Sequence, residues 1–124
     1  MTTSTTTPTV ATLDRELNQA ILAGHILDAF DRFYAQDCEM QENTEPRIVG
    51  KEANRKREEE FVSSIETFHG AELAASAVQG DVSFSEWTMD VTFKGGPRVN
   101  LAQVAVRHWK NGEVAKERFY YNKG

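Results

Sequence analysis

Apolar residues recur along this chain at two different intervals, and the change from one to the other divides it near its middle. Leu13, Leu17, Ala20 and Ile21 fall three or four residues apart, one stripe of a helix with Thr12 as N-cap and Gly24 as stop. A second, short helix carries Leu27, Phe30, Phe33 and Tyr34 on one side and Asp28, Asp31 and Arg32 on the other. Residues 38–43 alternate as a strand, and residues 44–50 form a loop around Pro46. A third helix is expected from Lys51 to Phe68, with Phe61, Ile65 and Phe68 inward, Val62 beside them, and Gly70 as its end. Its first half, Glu52 to Glu60, is nearly all charge and should face water.

Beyond Gly70 the period becomes two. Residues 71–79 read as a strand of small side chains closed by Gly80-Asp81. Residues 82–93 alternate, with Trp87, Met89, Val91 and Phe93 on one face and Glu86, Thr88, Asp90 and Thr92 on the other. Lys94-Gly95-Gly96-Pro97 turns the chain into a strand over 99–110, and Asn111-Gly112 turns it again into a last strand over 113–122. Helices followed by a run of strands give an α+β fold. Its curved, mostly antiparallel sheet should wrap around the three helices as a cone with an interior pocket.

The bulk numbers narrow the classes. A chain of 124 residues is one domain, placed here at 12–124 behind a disordered Thr-rich tail at 1–11. A net charge of −5 argues against nucleic acid as a partner. The basic run Arg55-Lys56-Arg57 is followed at once by Glu58-Glu59-Glu60 and reads as a solvated helix face. Cys38 is the one cysteine, so no intrachain disulfide can form; with no secretory signal in view the expected compartment is the cytoplasm. No apolar run approaches a membrane span. The three histidines are scattered without ligand spacing, so no metal site is expected.

Glu42 is the leading chemical candidate. It shares a strand face with Cys38 and Met40, and a carboxylate turned toward a core must be paired, hydrated or used. Its readings are a general base, an ion pair with Arg47 or another loop cation, and simple exposure near the strand end. His108 lies on the strand face of Ala102, Val104 and Val106, read as inward, and is either a pocket donor or a histidine satisfied by a neighbour. Tyr34, Phe61, Trp87, Met40 and Met89 are pocket lining or ordinary core, two roles that overlap in a cone. The last strand has two registers. With a two-residue turn at Asn111-Gly112, His108 shares its face with Glu117 and Phe119; one extra residue puts it with Lys116, Arg118, Tyr120 and Asn122 instead. Leu101, Ala105 and Trp109, between Gln103 and Arg107, are read as an outer face covered by a second copy in a homodimer.

The run Tyr34-Ala35-Gln36-Asp37-Cys38-Glu39-Met40-Gln41-Glu42, with Glu45-Pro46-Arg47 after it, resembles the ketosteroid-isomerase branch of the NTF2-like superfamily. Trp109-Lys110-Asn111-Gly112-Glu113-Val114 and Arg118-Phe119-Tyr120-Tyr121-Asn122 resemble the ending of SnoaL-like polyketide cyclases. The resemblance implies a cofactor-free isomerase or cyclase that moves a proton beside a carbonyl of a small hydrophobic molecule. It puts Glu42 at the base position and His108 at that of the acid or donor, and it favours the register with Tyr120 and Asn122 as ligand-binding residues. The family's oxyanion donors fall near Leu17 or Asn18 and near Val106, and the cyclase acid is here Asn122. The alternative, in line with these departures, is a non-catalytic ligand-binding or interaction domain with a vestigial pocket.

Overall fold

The computed structural model describes residues 8–122. Helix α1 spans Val10–Leu22, and its cap is Thr9 rather than Thr12: the Thr9 hydroxyl accepts from the Thr12 amide at 3.2 Å. The ordered domain therefore starts before residue 12, and residues 1–7 of the expected tail lie outside the described residues. Helix α2 (Ile26–Phe33) passes straight into strand β1 (Tyr34–Glu42), which begins four residues before the visible alternation at Cys38. The loop after it contains a short strand β2 (Ile48–Val49), paired antiparallel with β1.

Helix α3 is Lys51–Ser64, shorter than expected. Ile65 already belongs to strand β3 (Ile65–Gln79), where Phe68 pairs with Val91 and Gly70 sits beside a shift of register. The spacing of Phe61, Ile65 and Phe68 fits a helix, but the full length of the next strand is available for pairing, and the ladder takes Ile65 and Phe68 while Phe61 stays in α3. Strands β4 (Val82–Phe93), β5 (Arg98–Lys110) and β6 (Glu113–Tyr120) follow. The sheet runs β2-β1-β6-β5-β4-β3, antiparallel except for the parallel pair β1–β6. It is a curved, unclosed α+β sheet packed by three helices, as expected. Among the described residues no helix is long and apolar enough to cross a membrane.

Two registers decide what faces the helices. Trp87, buried, pairs with Gln103, so Leu101, Gln103, Ala105, Arg107 and Trp109 point inward. This reverses the expected orientation of β5: Leu101, Ala105 and Trp109 belong to the concave face, and Ala102, Val104, Val106 and His108 to the convex one. At the next hairpin Lys110 opposes Glu113 across Asn111 (φ +52°) and Gly112 (φ +79°), the positive pair of a type I′ turn. The register then shifts between His108 and Trp109, with Ala115 as the extra residue, so that His108 opposes Lys116 and Arg107 opposes Glu117. The turn of one expected register and the parity of the other thus coexist.

The closed end of the cone holds the core, where Leu17, Phe33, Cys38, Met40, Trp109 and Val114 are buried together. Helix α3 is seated on this framework by polar contacts. Buried Asn54 donates to the carbonyls of Ile48 and Gly50, both at 2.9 Å, and Arg55 forms a two-point pair with Asp31 of α2 at 2.8 and 3.0 Å. Gly50, just before α3, has φ +99°, a conformation that strains any side-chain-bearing residue.

Candidate functional site

A cavity of about 420 Å³ lies between the helices and the concave face of the sheet. Its walls are largely apolar: Leu17 and Ile21 from α1, Phe30 from α2, Phe61 from α3, and Trp87 and Met89 from β4. Tyr34, Phe61, Trp87, Met89 and Asn122, all expected to line a pocket, do so. Met40 does not; it is fully buried in the core behind the cavity. His108 and Tyr120 do not either. Both are exposed on the convex face, beside Lys116 and Arg118 in a small surface depression, because the inward side of β5 is the other one. His108 is therefore no partner for Glu42.

The floor of the cavity is a buried charge network that the sequence did not announce. Arg107 donates from Nε to Glu117 Oε2 at 2.8 Å, and from Nη1 to Asp14 Oδ1 at 2.8 Å and Asn18 Oδ1 at 2.6 Å. The Tyr34 hydroxyl donates to the other oxygen of Glu117. Ser83 donates to Asp14 at 2.7 Å and receives the Trp109 indole N–H at 2.9 Å. Asp14, Asn18, Ser83, Arg107 and Glu117 are all buried. Burial disfavours the charge on Arg107, but the carboxylates of Glu117 and Asp14 more than offset it and hold the guanidinium above its ordinary range. Burial, then Glu117, push the Tyr34 hydroxyl well above its ordinary range, so it stays a donor.

Toward the outer part of the cavity sit two further carboxyls. Glu42 lines the cavity as expected, but its partner is Arg57 of α3 at 2.9 Å, not Arg47, and both side chains keep about a third of their surface in water. Arg47 lies 3.8 Å from Glu39 instead. Glu58, one residue on from Arg57, also lines the cavity, half-buried, with no ion-pair or hydrogen-bond partner found among the described residues. Its pKa is pushed up from 4.5 to about 7, first by burial, then by Glu117 and Glu42, against the pull of Arg57. The charge run in the sequence puts Glu58 on a solvated face, and the structure corrects this. The missed signal is the stripe Asn54, Glu58, Phe61, Ile65, whose helical spacing puts Glu58 on the buried side.

The arrangement is a partly open, largely apolar cavity with a hydrogen-bonded polar floor and one carboxyl poised to gain or lose a proton near neutrality. The SnoaL-like domain family matches residues 5–121. A Mesorhizobium loti protein described as a SnoaL-like polyketide cyclase [carbohydrate phosphatase] is 30% identical, with a TM-score of 0.83 over 92% of this chain and 100% of that one. A Pseudomonas putida protein described as a polyketide cyclase shares the fold at 21% identity, TM-score 0.78, over 94% of each chain. An NTF2-like protein of unknown function from Burkholderia pseudomallei does so at 15% identity, TM-score 0.78, over 94% of this chain and 92% of that one. Among curated proteins none matches the sequence significantly.

Proposed function

We propose that this chain, which belongs to the SnoaL-like domain family, binds a small hydrophobic molecule in the cone and moves a proton on it beside a carbonyl, without a cofactor. Glu58 is the group that takes and returns the proton. The observation that carries this reading is the Glu58 carboxyl, set in the wall of an apolar cavity with its pKa at about 7. A base of that strength is ionised enough to act and basic enough to pull a proton from carbon. Glu42, at the position where the family resemblance puts the base, holds Arg57 instead. That pair fixes the side chain N-terminal to Glu58 and keeps a negative charge near it.

A binding role without turnover is the second reading. It is favoured by the Glu42–Arg57 pair and by Tyr34, whose hydroxyl is committed to Glu117 rather than to a developing oxyanion. Proton exchange distinguishes the two. Small hydrophobic ketones are incubated with protein in D2O, and loss of the α-proton signal is followed by NMR. Catalysis by Glu58 predicts exchange that rises with pH through about 7 and falls at least about 100-fold in Glu58→Gln. Exchange lost in Glu42→Gln but kept in Glu58→Gln would return the role to Glu42; shifts from bound ketone without exchange would favour the binding reading.

A further inference from the structure

The cavity holds more negative than positive charge. Glu42 and Arg57 balance one another. Arg107 is shared by Glu117 in the cavity wall and Asp14 buried beneath it, so the floor as a whole keeps one carboxylate in excess. Glu58 adds a second when it ionises, and the groups facing it are Arg57 on its own helix, Glu42 of β1 and Glu117 of β6, with Arg107 of β5 and Tyr34 behind Glu117. Rings of Phe30, Tyr34, Phe61 and Trp87 share the same space. Aromatic faces attract cations, most strongly where water is excluded. An anion would meet the excess carboxylate with repulsion.

From this juxtaposition we propose that the molecule selected by the cavity is a hydrophobic organic cation, an amine or quaternary ammonium, with its charged centre beside Glu58 and its apolar body among Phe30, Phe61 and Trp87. The inference rests on the proton-transfer reading and gives it a substrate class. In that reaction the proton leaves carbon for the Glu58 carboxylate, the C–H electron pair spreads into the adjacent carbonyl, and the same carboxyl returns the proton. An enolate so formed would lie beside the negative excess of the floor. A positive centre on the substrate itself, next to the reacting carbon, offsets that repulsion where the Tyr34 hydroxyl is already engaged.

The test compares phenyltrimethylammonium with its neutral isostere tert-butylbenzene and with benzenesulfonate, by protein NMR titration at pH 6 and pH 8. The cation should bind at least about tenfold tighter than either competitor at pH 8, shifting the Trp87 indole and Met89 methyl signals. Its affinity should fall by up to about tenfold at pH 6, as Glu58 takes up its proton. Glu58→Gln, checked for fold by circular dichroism, should lose both the pH dependence and most of the preference. Equal or tighter binding of the isostere or the sulfonate, no cation binding, or shifts confined to the convex face would each overturn the proposal. The ketone exchange experiment fails independently: exchange without cation preference sinks only this inference, and cation preference without exchange in any substrate sinks only the proton-transfer reading.

Discussion

Replacing Glu58 by Gln should stabilise the protein at alkaline pH and do nothing at acid pH. In the unfolded chain this carboxyl ionises near 4.5, and in the cavity near 7. Below 4.5 it is protonated in both states and costs nothing. As pH rises from 4.5 to 7 the unfolded state sheds the proton first, so folding stability falls; above 7 the loss is complete. At about 1.36 kcal/mol per pH unit, the interval is worth about 3 kcal/mol. Partial exposure of the side chain lets water screen the charge, which trims the expectation to about 1–3 kcal/mol. The amide has the same shape and no ionised form. Urea denaturation followed by tryptophan fluorescence, which reads Trp87 and Trp109, should therefore show wild type and variant within about 0.5 kcal/mol at pH 4.5. At pH 8 the variant should be more stable by the amount above. Equal differences at the two pH values, or a variant less stable at pH 8, would refute a desolvated, unpaired Glu58. A protein that keeps such a carboxyl forgoes stability at this one position, as sites with a function do.

Three other outcomes follow from the same geometry. Arg107→Met leaves Asp14 and Glu117 buried without their shared cation and should cost about 3–5 kcal/mol by urea denaturation at pH 7; a loss under about 1 kcal/mol would mean that water reaches the floor. Asn54→Ala removes the amide that holds the Ile48 and Gly50 carbonyls, and should cost about 1–3 kcal/mol in thermal unfolding with α3 loosened from the cavity. A second copy should cover the convex sheet face, now through Phe84, Val104, Val106 and Tyr120 instead of the inward Leu101, Ala105 and Trp109. Light scattering should give twice the 14.0 kDa chain mass, and Val106→Glu should return it to 14.0 kDa; a monomeric wild type at about 100 μM would count against the dimer.

The fold was legible where a single periodicity controlled the segment. The stripe of α1, the alternation around Trp87 and the Asn111-Gly112 hairpin each held. The site was legible only in part, because its makers break the rule that apolar means inside. Strand β5 shows apolar residues on both faces, and the inner one also carries Gln103 and Arg107, so counting apolar residues chose the wrong side. Pairing Phe93 across from Pro97 would have settled it, since that register carries Trp87 onto Gln103 and Ser83 onto Arg107. His108 and Tyr120 were lost to the site by the same reversal. Asp14 could not be matched to Arg107 in advance, because it lies 93 residues away and meets it only through the packing of α1; Arg107 and Glu117, ten apart, meet only in the register that the bulge at Ala115 sets. Glu58 was hidden inside a run of charges of which Glu52, Lys56, Glu59 and Glu60 do face water.

The central claim is that Glu58, and not Glu42, is the cavity acid that exchanges its proton near neutrality. The direct measurement is an NMR titration of the side-chain carboxyl carbons in 13C-labelled protein, with Glu58→Gln used to assign the signal. The account predicts a Glu58 midpoint near 7. A midpoint near 4.5, the value of a solvated glutamate, would contradict it.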